Sequence, residues 1–237
     1  MKVTIPNLIR AAGLSAAVAG AIFAAILPIR PPDVLEPVNA SAFILITSLK
    51  TAMSIFGLFG ITGLYARQVE EAGWLGLAGY LLLTTYFAIQ MCISFIEPTI
   101  LPLLTSVAPA FVESALAMRS GTTGSMNLGA LQTVYSLASV LFLFGLVLFG
   151  IATFRTRTLP RGAAALLAVS GPLVGIMFRL LPEQLDQLTG IPTGMALIWL
   201  GLALFSTRSD KRLVSVSGEN LDEASFNAIK REPGEVA

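Results

Sequence analysis

There is no histidine in the 237-residue chain, and there is a single cysteine, Cys92. The first absence removes imidazole metal sites, histidine-ligated haem, histidine acid–base chemistry and a histidine pH switch together. The second removes any intramolecular disulfide and leaves the redox compartment unread. Cys92 lies inside an apolar run and reads as a small core residue. Charge is scarce too: Asp, Glu, Lys and Arg make up 12% of the chain, against roughly 25% in soluble domains. They cancel to a net charge of +1, so no overall field points to nucleic acid or to an anionic substrate. The sequence also lacks a glycine-rich phosphate loop, a zincin-type helix and paired intramembrane carboxylates. No nucleophile and base can be paired, and the expectation is a non-enzymatic protein with no catalytic residue, metal or cofactor.

What the chain has in excess is apolar sequence. It is 55% hydrophobic with a mean hydropathy of +0.79. A helix crossing the hydrocarbon core needs about 20 mostly apolar residues. Six segments meet or approach that length: Leu8 to Leu27, Ala42 to Ala66, Trp74 to Ile96, Gly129 to Phe154, Gly162 to Leu181 and Ile191 to Phe205. The last is short, and gains length from Leu188 outward or by tilting less. Isolated strands cannot satisfy their backbone in lipid, and no ten-residue alternation suggests a barrel. The expected fold is therefore all-α: an integral membrane bundle of six transmembrane helices over residues 1–207, with a polar tail, 208–237, expected to be disordered. The first segment follows Lys2 and Arg10 as a signal peptide would. It runs on without a polar cleavage region, however, and reads as a span.

Orientation follows from the cations in the short connections. With the N-terminus inside, one side collects Lys2, Arg10, Arg67, Arg155, Arg157, Arg161, Arg208, Lys211, Arg212, Lys230 and Arg231, and the other only Arg30, Arg119 and Arg179. Both termini are thus expected in the cytoplasm, with tight turns at "ARQVEEAGW" and "FRTRTLPRG". The one long connection, Glu97 to Leu128, falls on the outer side. It is too apolar for a free loop, and Pro98, Pro102 and Pro109 divide it. One or two short helices, acting as a cap or a lid, are expected there.

Lys50 is the most informative single residue. A charge several residues inside a span costs about 3 kcal/mol on insertion scales and needs a partner or a route to water. In a hairpin centred near Glu70, Lys50 lies level with Gln90 and reaches toward Ser94 and Glu97. Gln132, Arg179 and Glu183 are expected at similar or shallower depth on neighbouring helices. These six, Lys50, Gln90, Glu97, Gln132, Arg179 and Glu183, form the candidate outer polar pocket. The alternative is that Lys50 merely extends to the interface and pairs with Glu97 to hold two helices in register.

Three stretches, "GLYARQVEEAGWLGLAGYLLL", "LFGLVLFGIATFRTRTLPRGAAALLAVSG" and "IPTGMALIWLGLALFS", resemble in this order a bacterial family of six-span inner-membrane proteins, a domain of unknown function. The likeness covers about residues 8 to 206, and its motifs are mostly packing and turn residues. It implies six helices and a multi-pass location in the bacterial cytoplasmic (inner) membrane, and it carries over no catalytic residue. Expected partners are the lipid bilayer, a lipophilic small molecule or a membrane protein partner, and no nucleic acid. Two functions stand side by side: a module binding a lipid or apolar ligand, or serving as accessory subunit, and a small secondary transporter using the Lys50 pocket.

Overall fold

The computed structural model describes residues 4–29, 36–119, 124–180 and 190–206, and every regular element among them is helical. The helices are α1 (Ile5–Ile29), α2 (Ser41–Thr99), α3 (Leu101–Leu104), α4 (Pro109–Arg119), α5 (Ala130–Thr156), α6 (Arg161–Leu180) and α7 (Ile191–Ser206), with a 3-10 turn at Glu36–Asn39. The tail, 208–237, lies outside the described residues. By length and composition, three helices can cross a membrane: α1, α2 and α5. At 16 residues α7 is shorter than the about 20 that a crossing needs.

A straight helix as long as α2, with its 59 residues, would extend about 90 Å. Gly73 prevents this, because its φ of 55° and ψ of −162° break the helix into arms 41–72 and 74–99. Only glycine adopts such a backbone readily, and a Cβ there would meet nothing within 4 Å. Conformation, not space, requires the glycine. The arms fold back antiparallel: Tyr65 stacks on Tyr80 with centroids 4.5 Å apart, Gly57 lies against the ring of Phe87, and Lys50 reaches Glu97. The turn is therefore narrower and later than a centre at Glu70. Helix continues through the charged stretch because Gln68 and Ala72 are buried in the bundle while Arg67, Glu70 and Glu71 stay exposed. Cys92, expected as a small core residue, is instead exposed on the second arm of α2.

Small residues set the remaining contacts, as packing rather than the hydrophobic effect drives helix association in lipid. Gly60 and Gly63 abut Ala16 and Ala12 of α1, and Gly13 and Gly20 of α1 abut Gly201 and Gly194 of α7. Gly79 abuts Phe149 of α5, and Gly150 of α5 abuts Ala168 of α6. Every one of these pairs runs antiparallel, and α6 also packs on α7. Among the described residues, α1, the two arms of α2, α5, α6 and α7 thus alternate in direction and close into a ring of contacts. Of the small-residue stripe Gly13, Ala17, Ala21 on α1, Gly13 and Ala17 are buried inside this ring and Ala21 is exposed.

The sequence likeness between "FGLFGITGLYAR" and "FGLVLFGIATFR" suggests an internal repeat, yet the matching glycines serve different contacts. Gly57 meets Phe87 of its own hairpin, whereas Gly145 meets Leu83 of the other one.

The ring has two unlike ends. The turn end holds Gly73 and the α5–α6 turn, where Arg157 closes α5 with a left-handed φ of 59°. At the cap end α3, α4 and the 3-10 turn build a second apolar cluster from Val38, Phe43, Leu101, Val112, Ala115 and Leu116. The amide of Asn39 donates to Thr105 Oγ1 at 3.2 Å, tying the two connecting segments together. The short helices expected in the long connection are α3 and α4. Residues 120–123 of its glycine-rich end lie outside the described residues.

Candidate functional site

Side chains spaced alternately three and four apart share one face of a helix. On the first arm of α2 the inward stripe runs Phe43, Thr47, Lys50, Ser54, Gly57, Ile61, Leu64, Gln68, all buried apart from Lys50, which is half-buried. The second arm carries Gly76, Gly79, Leu83, Phe87, Gln90, Ser94, Glu97, and α5 carries Gln132, Tyr135, Ser139, Phe142, Leu146, Phe149, Thr153. In the cap-end half the three stripes carry polar residues, Thr47, Lys50 and Ser54 on the first arm, Gln90, Ser94 and Glu97 on the second and Gln132, Tyr135 and Ser139 on α5, before the first arm returns to the apolar cap cluster at Phe43. The register set by Gly79 on Phe149 and Gly145 on Leu83 puts Gln132 level with Glu97, Tyr135 with Ser94, and Ser139 with Gln90. These polar residues therefore coincide in depth and produce one polar layer in the cap-end half of the ring.

Below the layer the interior is aromatic. Phe142 of α5 packs on Phe23 of α1 across the ring, centroids 6.0 Å apart, and on Tyr86 of α2 at 4.5 Å. The seven steps from Gln90 to Glu97 cover about 10 Å at 1.5 Å each, so the layer has depth as well as polarity.

At its top, Lys50 Nζ lies 2.9 Å from Glu97 Oε2. The Glu97 side chain is 3% exposed and that of Lys50 16%. Glu97 is the fixed member, set in the last turns of α2, while Lys50 carries its charge on a flexible stem. The hydroxyls around them are turned back on their own helices: Thr47 donates to the Phe43 carbonyl at 2.7 Å and Ser54 to the Lys50 carbonyl at 2.9 Å. The amide of Gln90 donates to Ser94 Oγ at 2.8 Å. On α5, Gln132 and Ser139 are exposed among the described residues.

Of the six residues expected in the pocket, Lys50 and Glu97 are in direct contact and Gln90 lies two turns below on the same stripe as Glu97. Gln132 is brought level from α5, where it also borders a cavity of about 320 Å³ under Met118 and the 124–128 segment. Arg179 falls in the last turn of α6, its side chain outside the described residues, and Glu183 lies wholly outside them. No comparison with family models, curated proteins or solved structures gives a match. The chemistry of this chain has to be read from its own side chains.

Residues that the sequence reading did not single out are Tyr135 and Ser139 in the layer, and a second polar group at the turn end. There Gln68, 1% exposed, donates from Nε2 to Thr153 Oγ1 at 2.8 Å and accepts from Thr156 Oγ1 at 3.1 Å. The available signal was the spacing: both groups sit on the three-and-four stripes.

On the outer flank, α1 and the first arm of α2 frame an apolar groove of about 430 Å³ between Leu8, Ala12, Ser15, Phe59, Thr62 and Ala66. Its hydroxyls are occupied by their own helices, Ser15 donating to Ala11 at 3.0 Å and Thr62 to Leu58 at 2.7 Å. The groove offers shape and no directed hydrogen bond.

Proposed function

We propose that the chain is a six-span, non-enzymatic protein of the bacterial cytoplasmic membrane, both termini inside, which binds a lipid-like amphiphile in the polar layer. One observation carries the reading: the stripes of the two arms of α2 and of α5 carry polar residues at the same depth, around a buried ion pair. Polar and charged groups are expensive inside a membrane and are retained there chiefly where they face a pathway or a ligand. A polar layer resting on an aromatic floor presents both surfaces that an amphiphile needs. Acid–base or nucleophilic chemistry is poorly served, because Thr47 and Ser54 are committed to backbone carbonyls and the chain has no histidine.

Ser139 is exposed and level with Gln90 in the register of α5 on α2, so Ser139→Phe adds bulk at the depth of the layer without overfilling a packed core. Extraction into polymer nanodiscs followed by mass spectrometry is expected to find an amphiphile with the parent chain and to lose it in Ser139→Phe at unchanged helicity. An identical ligand profile in both chains contradicts the reading. A stoichiometric protein in place of a small molecule points to an accessory subunit instead. The Lys50–Glu97 pair favours a second reading, a small secondary transporter loaded from the cap end, for which uptake into liposomes has to depend on Lys50.

A further inference from the structure

The inference here rests on the polar layer being the binding site and concerns what it selects. Lys50 and Glu97 place both signs of charge within 2.9 Å of each other, one of them almost fully buried. A ligand with a single charge can engage only one of them, and it draws that partner away from the other, leaving a buried charge less well compensated. A ligand bearing both signs close together avoids this, since each side chain exchanges one counter-charge for another. Lys50 is suited to such an exchange, because it is the more exposed partner and its stem allows the ammonium to swing aside.

We propose that the layer binds a zwitterion in which a primary ammonium stands beside an anionic phosphate or carboxylate, the ammonium taken by Glu97 and the anion by Lys50. The ammonium is primary because Glu97 recognises a cation by accepting N–H hydrogen bonds, which a quaternary ammonium cannot donate. Gln90, on the Glu97 stripe, and Gln132, level with Glu97, add amide donors and acceptors on two sides of the same layer. This chemistry occurs in a phosphoethanolamine lipid headgroup and equally in free phosphoethanolamine or a free amino acid.

The test uses the purified full chain in nanodiscs of phosphatidylcholine, alone or with a minor fraction of phosphatidylethanolamine or phosphatidylglycerol, and a third arm with soluble phosphoethanolamine added to the phosphatidylcholine discs. Thermal midpoints are read for the parent, for Gln132→Leu, and for the charge-free Lys50→Met/Glu97→Leu chain, which leaves no half of the pair behind. Phosphatidylethanolamine is expected to raise the parent midpoint by roughly 2–4 °C at saturation, with the rise absent in the charge-free chain and reduced in Gln132→Leu. A rise with the lipid only identifies a headgroup site; a rise with soluble phosphoethanolamine as well identifies a site for the free zwitterion, and either supports the proposal. A rise with phosphatidylglycerol that depends on the pair overturns the zwitterion while leaving an amphiphile site. No response that depends on the pair or on Gln132 overturns both.

Discussion

Gln68 donates to Thr153 across 2.8 Å, joining two helical hairpins at positions 85 residues apart. The bond is buried, and Thr156 completes it from the far side of the same amide. It closes the turn end of the ring, where the first arm of α2 and α5 both finish.

Interhelical polar bonds in membrane proteins are worth about 0.6 kcal/mol on average and about 1.7 at most. Gln68→Leu is accordingly expected to lower stability by about 1 kcal/mol. In a double-mutant cycle with Thr153→Val the two losses should fall short of additive by about half that amount. Unfolding of the reconstituted protein measures it, and strictly additive losses would remove the clamp.

Gly73 and Gly79 should respond differently to side-chain size. At Gly73 the strain is in the backbone, about 1–3 kcal/mol for any L residue, and the surrounding space is open. Alanine and leucine there should cost the same within error. At Gly79 a Cβ would run into the backbone of Phe149, so leucine should be far worse than alanine. Thermal midpoints of the four variants decide, and equal costs for leucine at both positions would contradict the register of α2 on α5.

Orientation can be read with thiol chemistry. In a Cys92→Ala background, a cysteine at Gly124 should react with an impermeant reagent added outside, and one at Arg157 should not. The opposite pattern inverts the protein in the membrane.

Much of this architecture was legible in the sequence because apolar runs and arginine-bearing turns are local signals. Gly73, placed within the expected turn, is the residue that breaks α2, and the contact of Lys50 with Glu97 was within reach of its stem. The polar layer was harder to see. Gln132 was singled out by its depth alone, whereas Tyr135 and Ser139 look like isolated polar residues in an apolar segment until the stripe on α5 is set against those on α2. That alignment depends on the register between helices, which Gly79 and Gly145 fix through contacts distant in sequence. The same limit hid Gln68, which in isolation reads as one more polar residue of a surface turn. Its burial follows only once α5 is packed beside it.

Removing one member of the Lys50–Glu97 pair should be worse than removing both. Lys50→Met takes the ammonium from a carboxylate that is 3% exposed, a change expected to cost about 3 kcal/mol or more. Lys50→Met/Glu97→Leu should recover most of that loss, as replacement of a buried pair by apolar groups is often neutral. A double variant no more stable than the single one would mean that the pair contributes mainly through its own attraction.

The same double variant gives the most direct test of the polar layer as a binding site. Parent and Lys50→Met/Glu97→Leu chains are extracted side by side into polymer nanodiscs, and the bound small molecules are quantified by mass spectrometry per mole of folded protein. The binding account predicts a folded double variant that has lost the amphiphile carried by the parent. Retention of that molecule at the parent level would contradict it and leave the pair a structural tie between the two arms of α2.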